Sequence, residues 1–455
     1  MNTCTTCPNG VGNWLQNQNP CPDINCACDD NIFSSLVETV PTHYYQCKDI
    51  GFKDCDNDDL IKLQVNGNNE NIFFLKDVWD PIAQTTNTPE VEWCRINNEI
   101  ALSETELIEA NAMYSIQTAN DYFTGAFNIN SYDNNGGQLI VIVHAKGVNA
   151  NGASSSIASN PAPAPMSLGD GAIGECNPMV SLDIVAHEYT HGVLNNYINL
   201  NQNLVTTTEL RLSTVAIQEA LADIFSIIIR HDENGGQNTW NNQSIWTIGA
   251  EACFNHPNLP RYVNAPQNSV STQASYYQDP VHNWSNNQMD YYNRAGVISY
   301  WFYLLSTGQQ GVKGDVIQQA LNVNGSENII IEALNLMEND IRTQYTFEDF
   351  RDFTIQAAIN LHGVCTNQHR SIVEAWVAVG LLDCANINIS FEENDPTPAD
   401  PCDKELTAIV NNGSGCYNFE WFRIDNGVEI PLNLNGVTIP VLCNNTYRVK
   451  VVDTF

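Results

Sequence analysis

His187-Glu188-Tyr189-Thr190-His191 constrains this chain more than any other stretch, because two imidazoles lie four residues apart with a carboxylate beside the first. On an α-helix four residues make about one turn, so both rings leave one face and can close on a single ion. Val180, Leu182, Ile184, Val185, Ala186 and Val193 surround them with apolar side chains, which predicts a buried helix. A buried histidine pair with no partner is costly, so a metal-ligating pair is the better reading. Imidazole nitrogen suits zinc, and a zinc that does chemistry takes three protein ligands and leaves one position for water. Glu188 is then placed to accept a proton from that water.

A third ligand is expected from a second helix. In Ala216-Ile217-Gln218-Glu219-Ala220-Leu221-Ala222-Asp223-Ile224-Phe225 two carboxylates lie four residues apart in an apolar run that leaves little wet side for them. Glu219 completes a His, His, Glu set. Asp223, one turn on, can orient a ligand histidine by accepting its other N–H.

These residues carry a resemblance. Val185-Ala186-His187-Glu188-Tyr189-Thr190-His191-Gly192 followed by Glu219-Ala220-Leu221-Ala222-Asp223-Ile224-Phe225 resembles the thermolysin-like family of secreted zinc neutral metalloendopeptidases, the gluzincins. Ser167-Leu168-Gly169-Asp170-Gly171 is similar to the turn before that family's zinc helix, and Trp246-Thr247-Ile248-Gly249 with Leu259-Pro260-Arg261 to its substrate-binding stretch. Trp301 to Gly308 and Ala375 to Gly380 look like its later helices, so the likeness runs from about Tyr44 to about Leu382. It implies zinc on His187, His191 and Glu219, Glu188 as general base, Asp223 holding His187, and Arg261 on a substrate carbonyl. The implied fold is α+β and two-lobed, with an N-terminal mixed β lobe, a C-terminal helical lobe and zinc in the cleft. A hydrophobic residue after the cut is also implied.

Three departures from the family pattern bear on function. The gap from His191 to Glu219 is 28 residues, longer than usual, with Gln218 where the family places asparagine; an Asn- and Thr-rich insertion from Asn199 to Thr208 is expected to loop out. The family's transition-state histidine lies in a D-N-G-G-V-H-x-N-S-G pattern. Here the corresponding stretch reads Gln288-Met289-Asp290-Tyr291-Tyr292-Asn293-Arg294-Ala295-Gly296, which puts Tyr292 at that position by ungapped counting. A phenol can also donate to an oxyanion. His282, in Asp279-Pro280-Val281-His282-Asn283, keeps the Val-His pair but requires an insertion before Gly296. Asp183 matches a family position that helps bind calcium, the second candidate ion, yet Arg230 falls where a partner carboxylate belongs. Asp54, Asp56, Asp58 and Asp59 form an oxygen-rich cluster that reads as a solvated acidic loop.

Composition excludes some partners. With 18 Lys plus Arg against 52 Asp plus Glu, a net charge of −34 repels nucleic acid and anionic membranes. Fifteen cysteines point to an oxidising, extracellular or cell-surface setting. Cys4, Cys7, Cys21, Cys26 and Cys28 crowd the first thirty residues and read as disulfide-forming, and Cys365 with Cys384 is one pairing that would staple helices. No apolar run approaches the roughly 20 residues that cross a bilayer. Residues 1–10 have neither the basic start nor the apolar core of a signal peptide, so a fragment or an upstream truncation is expected.

Five segments are expected: a cysteine-rich lead over 1–40, an N-terminal α/β lobe over 41–180, a helical lobe with the zinc site over 181–384, a linker over 385–401, and a truncated β-sandwich-like module over 402–455. Strands are expected at Leu60 to Val78 and Gln138 to His144, a helix at Thr105 to Phe123, and a loop at Ala150 to Pro165. Val141 to Ala145 reads either as the edge strand that pairs with an extended peptide or as a plain core strand. Later helices are expected at Ala295 to Leu305, Asp315 to Leu321, Ile329 to Thr343, Thr346 to Leu361 and His369 to Val379. Four short strands after the linker, at Leu406 to Val410, Tyr417 to Ile424, Val437 to Leu442 and Tyr447 to Val452, resemble part of an Ig-like module and stop short of its usual seven. The resulting expectation is a monomeric metalloendopeptidase acting on peptides and proteins, with a C-terminal module that binds a surface or substrate. The rival from another class is a catalytically weak, zinc-binding adhesion scaffold. An aminopeptidase would need a Gly-x-Met-Glu-Asn-like motif, which the chain lacks.

Overall fold

The computed structural model describes strand backbone at 34–40, 48–54, 60–62, 73–77, 92–96 and 99–100, and then residues 104–137, 139–145, 153–155, 165–172, 174–198, 200, 208–241, 243–254, 259–269, 272–279, 284, 291–383, 387–394, 404–411, 413–441 and 445–455. Residues 1–33 of the cysteine-rich lead, most of the acidic loop around Asp56, most of the 199–208 insertion and His282 lie outside these residues. The chain divides into two units, Met1–Tyr300 with Met337–Thr346, and Trp301–Leu336 with Phe347–Phe455.

In the first unit β1 (Ser34–Val40), β2 (Lys48–Asp54), β3 (Leu60–Lys62), β5 (Glu92–Ile96) and β6 (Glu99–Ile100) form one sheet in that order. A second sheet runs β4 (Phe73–Asp77), β7 (Leu139–Ala145), β9 (Pro165–Gly169), β8 (Ala153–Ser155). Between β6 and β7 comes α1 (Glu104–Phe127). The β7 sequence Leu-Ile-Val-Ile-Val-His-Ala has no alternation, because parallel neighbours flank it on both sides and both of its faces are buried. The core-strand reading of Val141 to Ala145 therefore holds and the edge reading does not. The edges of this sheet are β4 and β8, the latter inside a stretch expected to be a loop.

The zinc-motif helix is α2 (Leu182–Tyr197) and the second ligand helix is α3 (Thr208–Glu233). Asn111 Nδ2 and Ser115 Oγ of α1 both donate to Val180 O, and Tyr189 donates to Asn120 Oδ1 at 3.0 Å. Phe123, Tyr189 and Phe225 pack ring against ring across α1, α2 and α3. These contacts place α2 and α3 in the same unit as the strands, so the structural division does not fall at the expected 180/181 boundary. One 25-residue part of α3, Glu209–Glu233, is long and apolar enough to cross a membrane, contrary to the sequence expectation, but its most apolar window is wholly buried and it is a core helix.

Short hairpins follow: β10 (Thr239–Trp240) with β11 (Gln243–Ser244), and β12 (Thr247–Ile248) with β13 (Arg261–Tyr262). A 3-10 turn at Pro266–Asn268 leads towards α4 (Tyr291–Thr307), which starts in the first unit.

The second unit contains the remainder of α4, most of α5 (Asn322–Glu338), α6 (Phe347–His362) and α7 (Asn367–Ala378). Trp301, Trp376 and Phe350 form its aromatic core. Asp315 to Leu321 is not helical; Asn322 instead starts α5, its side chain accepting from Gly325 N at 3.0 Å. Among the described residues the C-terminal module has six strands, where four were expected. β14 (Asn388–Asn394), β15 (Lys404–Asn411) and β18 (Thr438–Val441) form one sheet, and β17 (Val428–Pro431), β16 (Tyr417–Asp425) and β19 (Thr446–Asp453) the other. Ala408, Trp421 and Ile439 fill its core. Strand β14 occupies residues expected to be linker, and Cys365 pairs with Cys416 rather than Cys384, tying the start of α7 to the β module.

Candidate metal centre

The apolar flanks of α2 carry His187 and His191 into the interior, where they are 7% and 9% exposed, and α3 delivers Glu219 at 8%. His187 Nε2 lies 3.2 Å from His191 Nε2 and 3.2 Å from Glu219 Oε2, and His191 Nε2 lies 3.8 Å from that oxygen. A tetrahedron built on metal–ligand bonds of about 2.0–2.1 Å has edges of about 3.3–3.4 Å, so these three donors fit the zinc spacing. Among the described residues this is the one group of three or more such donors close enough to hold an ion. Of the three, His187 is oriented by Asp223, whose Oδ1 lies 2.8 Å from His187 Nδ1.

Charge around the cluster is finely opposed. Burial alone would lower the His187 pKa, but hydrogen bonds to Asp223 and Glu219 outweigh it and lift it to about 10. A metal ion there takes the place of a proton. Burial lowers His191 to about 4, leaving a neutral imidazole with a free lone pair. Its buried Nδ1 has no hydrogen-bond partner. Burial would raise Asp223, yet Arg261 and His187 hold its carboxyl well below the usual carboxylate range. Glu219 is likewise lowered against its burial, by His191 and His187.

Arg261 reaches the site from β13, paired with Ile248 across the hairpin. Its Nε donates to Asp223 Oδ2 at 2.9 Å and its Nη2 to Asp223 Oδ1, and Nη2 lies 3.4 Å from His187 Nδ1. One carboxylate thus orients both a ligand histidine and the arginine. Tyr292, in the first turn of α4, is half-buried, and the charge of Glu219 is the largest cause raising its pKa, followed by burial, with Tyr291 and Glu188 adding to it. The phenol therefore keeps its proton at neutral and moderately alkaline pH. His282 lies outside the described residues.

Asp183 does not join the cluster. It is fully buried one turn before His187; Oδ1 accepts from Ser181 Oγ at 2.7 Å and from Ile184 N at 2.9 Å, and Oδ2 accepts from Gly249 N at 2.7 Å. Arg230 Nη1 stands 3.7 Å from Oδ2. The same guanidinium donates to the carbonyls of Ser226, Thr247 and Ile245. A cation is thus already supplied by the chain, and a calcium ion at Asp183 does not fit these residues.

Sequence reasoning missed Gln273, whose Nε2 donates to Tyr292 O at 2.8 Å. It also missed the pairing of Cys176 with Cys253, which ties the turn before α2 to the segment after β12. Neither has a local signal, since both depend on contacts made by the fold.

Comparison with known proteins agrees with this geometry. Residues 53–195 match the thermolysin metallopeptidase catalytic domain, and residues 212–381 its α-helical domain. Bacillolysin from Bacillus amyloliquefaciens is 27% identical over 272 residues, 60% of this chain and 44% of that protein. Neutral protease NprE from Bacillus pumilus is 27% identical over 287 residues, 61% of this chain and 79% of that protein. The chain therefore spans less than half the length of that Bacillolysin. The solved precursor of protealysin, a metalloproteinase from Serratia proteamaculans, superposes with a TM-score of 0.52 at 19% identity, covering 70% of this chain and 89% of that one, which shows a shared fold. The two domain matches together take in most of the chain, which belongs to the thermolysin-like metallopeptidase family.

Proposed function

We propose that the protein is an extracellular zinc-dependent endopeptidase, cutting internal peptide bonds with Glu188 as proton acceptor and shuttle. The observation that carries this reading is the convergence of His187, His191 and Glu219 within zinc spacing on α2 and α3, with Glu188 next to the first ligand. Zinc, when bound, supplies a Lewis acid that brings the pKa of a water to about 7 and polarises a carbonyl. Glu188 takes a proton from the attacking water and returns it to the leaving amine. Arg261, held by Asp223, and the Tyr292 hydroxyl donate hydrogen bonds to the oxygen on which negative charge develops. The backbone edge of β8 is the place for an extended substrate to add as a strand. Two disulfides among the described residues, Cys176–Cys253 and Cys365–Cys416, support an oxidising compartment.

Hydrolysis of an internally quenched peptide by zinc-loaded protein tests the reading. Turnover is expected to stop with chelator and return with added zinc, and to fall at least about 100-fold in Tyr292→Phe or Arg261→Ala if either is a main oxyanion donor. Stoichiometric zinc without any cleavage of peptides or proteins would favour the scaffold alternative.

A further inference from the structure

Of the segment between β13 and α4, residues 263–269 and 272–274 form a strut that bonds at one end to the neighbour of Arg261 and at the other to Tyr292. At one end Tyr262, the neighbour of Arg261, donates its N–H to Ser269 Oγ at 2.8 Å. At the other, Ala274 N donates to Asn293 O at 2.8 Å, and Gln273 Nε2 donates to Tyr292 O at 2.8 Å. The strut is closed on itself by Gln273 N donating to Pro266 O at 3.1 Å. Gln273 is 3% exposed, so its amide is committed to this contact and not to solvent. The approach to the helix is close enough to require glycine at 296: a Cβ there would lie 2.6 Å from Ala274 O and 2.7 Å from Gln273 Cβ.

The hydrogen bond from Gln273 is redundant for building α4. The Tyr292 carbonyl already receives the i+4 amide of the helix, and a carbonyl oxygen has a second lone pair to offer. What the amide adds is a fixed direction for the first turn, and with it the place of the Tyr292 hydroxyl. Displacement of a reacting group by about 1 Å can cost up to about 100-fold in rate.

We infer that Gln273 is a positioning residue, holding the first turn of α4 so that Tyr292 and Arg261 are presented together to one developing oxyanion. The inference rests on the reading of Tyr292 as an oxyanion donor. It predicts an effect on kcat that is transmitted only through the Tyr292 hydroxyl.

The experiment is a double-mutant cycle on the full, zinc-loaded chain with an internally quenched peptide. Gln273→Met keeps the volume and removes the amide. Expected are a kcat about 10-fold lower, KM within about 2-fold of wild type, unchanged zinc stoichiometry, and a further loss of less than about 2-fold when added to Tyr292→Phe. Gln273→Glu, which sets a carboxylate oxygen against the Tyr292 carbonyl, gives the same pattern and serves if the methionine variant does not fold. Equal losses on the wild-type and Tyr292→Phe backgrounds, or wild-type kcat in Gln273→Met while Tyr292→Phe is impaired, overturn the inference and leave the Tyr292 reading intact. Wild-type activity in Tyr292→Phe instead overturns the Tyr292 reading, and this inference with it.

Discussion

Asp223 accepts from His187 and Arg261 together, so under the proposed function a single carboxylate bears on both metal affinity and substrate polarisation. Replacing it with alanine frees the His187 ring and leaves Arg261 unanchored. Zinc affinity is expected to fall about 10- to 100-fold in Asp223→Ala, measured by competition with a chromophoric chelator. Arg230 makes a different prediction. Arg230→Met removes the cation facing the fully buried Asp183 carboxylate and a donor to the Thr247 and Ile245 carbonyls, and is expected to lower unfolding free energy by about 3–5 kcal/mol, read from urea denaturation. The His187 and His191 pair of the candidate metal cluster was legible in the sequence because its spacing is itself the chemistry: four residues make about one helical turn. Asp183 was misassigned, since spacing places it on α2 but does not say what faces it. Gln273 left no trace, because its meaning lies in Tyr292, 19 residues away.

At the scale of elements, the turn into α2 is built on close backbone contact. Gly171 has φ +78, and a Cβ there would lie 2.3 Å from Cys176 O and 2.4 Å from Asn177 O. Gly171→Ala is expected to lower the urea midpoint, by at least about 2 kcal/mol in stability. Immediately before it, Asp170 Oδ1 lies 2.6 Å from Nδ1 of His144 on β7, whose other nitrogen is 3.6 Å from Glu109 Oε1 on α1. Burial would lower the His144 pKa, but these two carboxylates raise it to about 9. The folded value lies above the unfolded one of about 6.5, so this contribution is complete below about pH 6.5 and is lost as pH rises through about 9. It amounts to about 1–3 kcal/mol, discounted because Asp170 is nearly half exposed. Tm is expected to decline over that window in the wild type and much less in Asp170→Asn. Apolar runs gave helix and strand identity well, whereas strand order did not follow from them: β7, left open between edge and core, is a core strand, and β8, at an edge, lies in residues expected to be a loop, because pairing partners are set by tertiary contacts.

Over the whole molecule, a net charge of −34 opposes the approach of polyanions. The β module was legible as strands, but its six-stranded, two-sheet arrangement and its attachment were not, since cysteine pairing cannot be deduced from spacing. Cys365 and Cys416 close a loop with a sequence separation of 51. Replacing both with serine is expected to lower the unfolding free energy of the chain by about 2–4 kcal/mol, as seen by calorimetry with and without reductant. The proposed function turns on Glu188 acting as the base beside a zinc held by His187, His191 and Glu219. The most direct measurement is kcat on a quenched peptide for wild type and Glu188→Gln at equal, measured zinc occupancy. One zinc per chain is expected in both, with a kcat lower by about 100-fold or more in the variant; equal turnover at equal zinc would rule out Glu188 as the base.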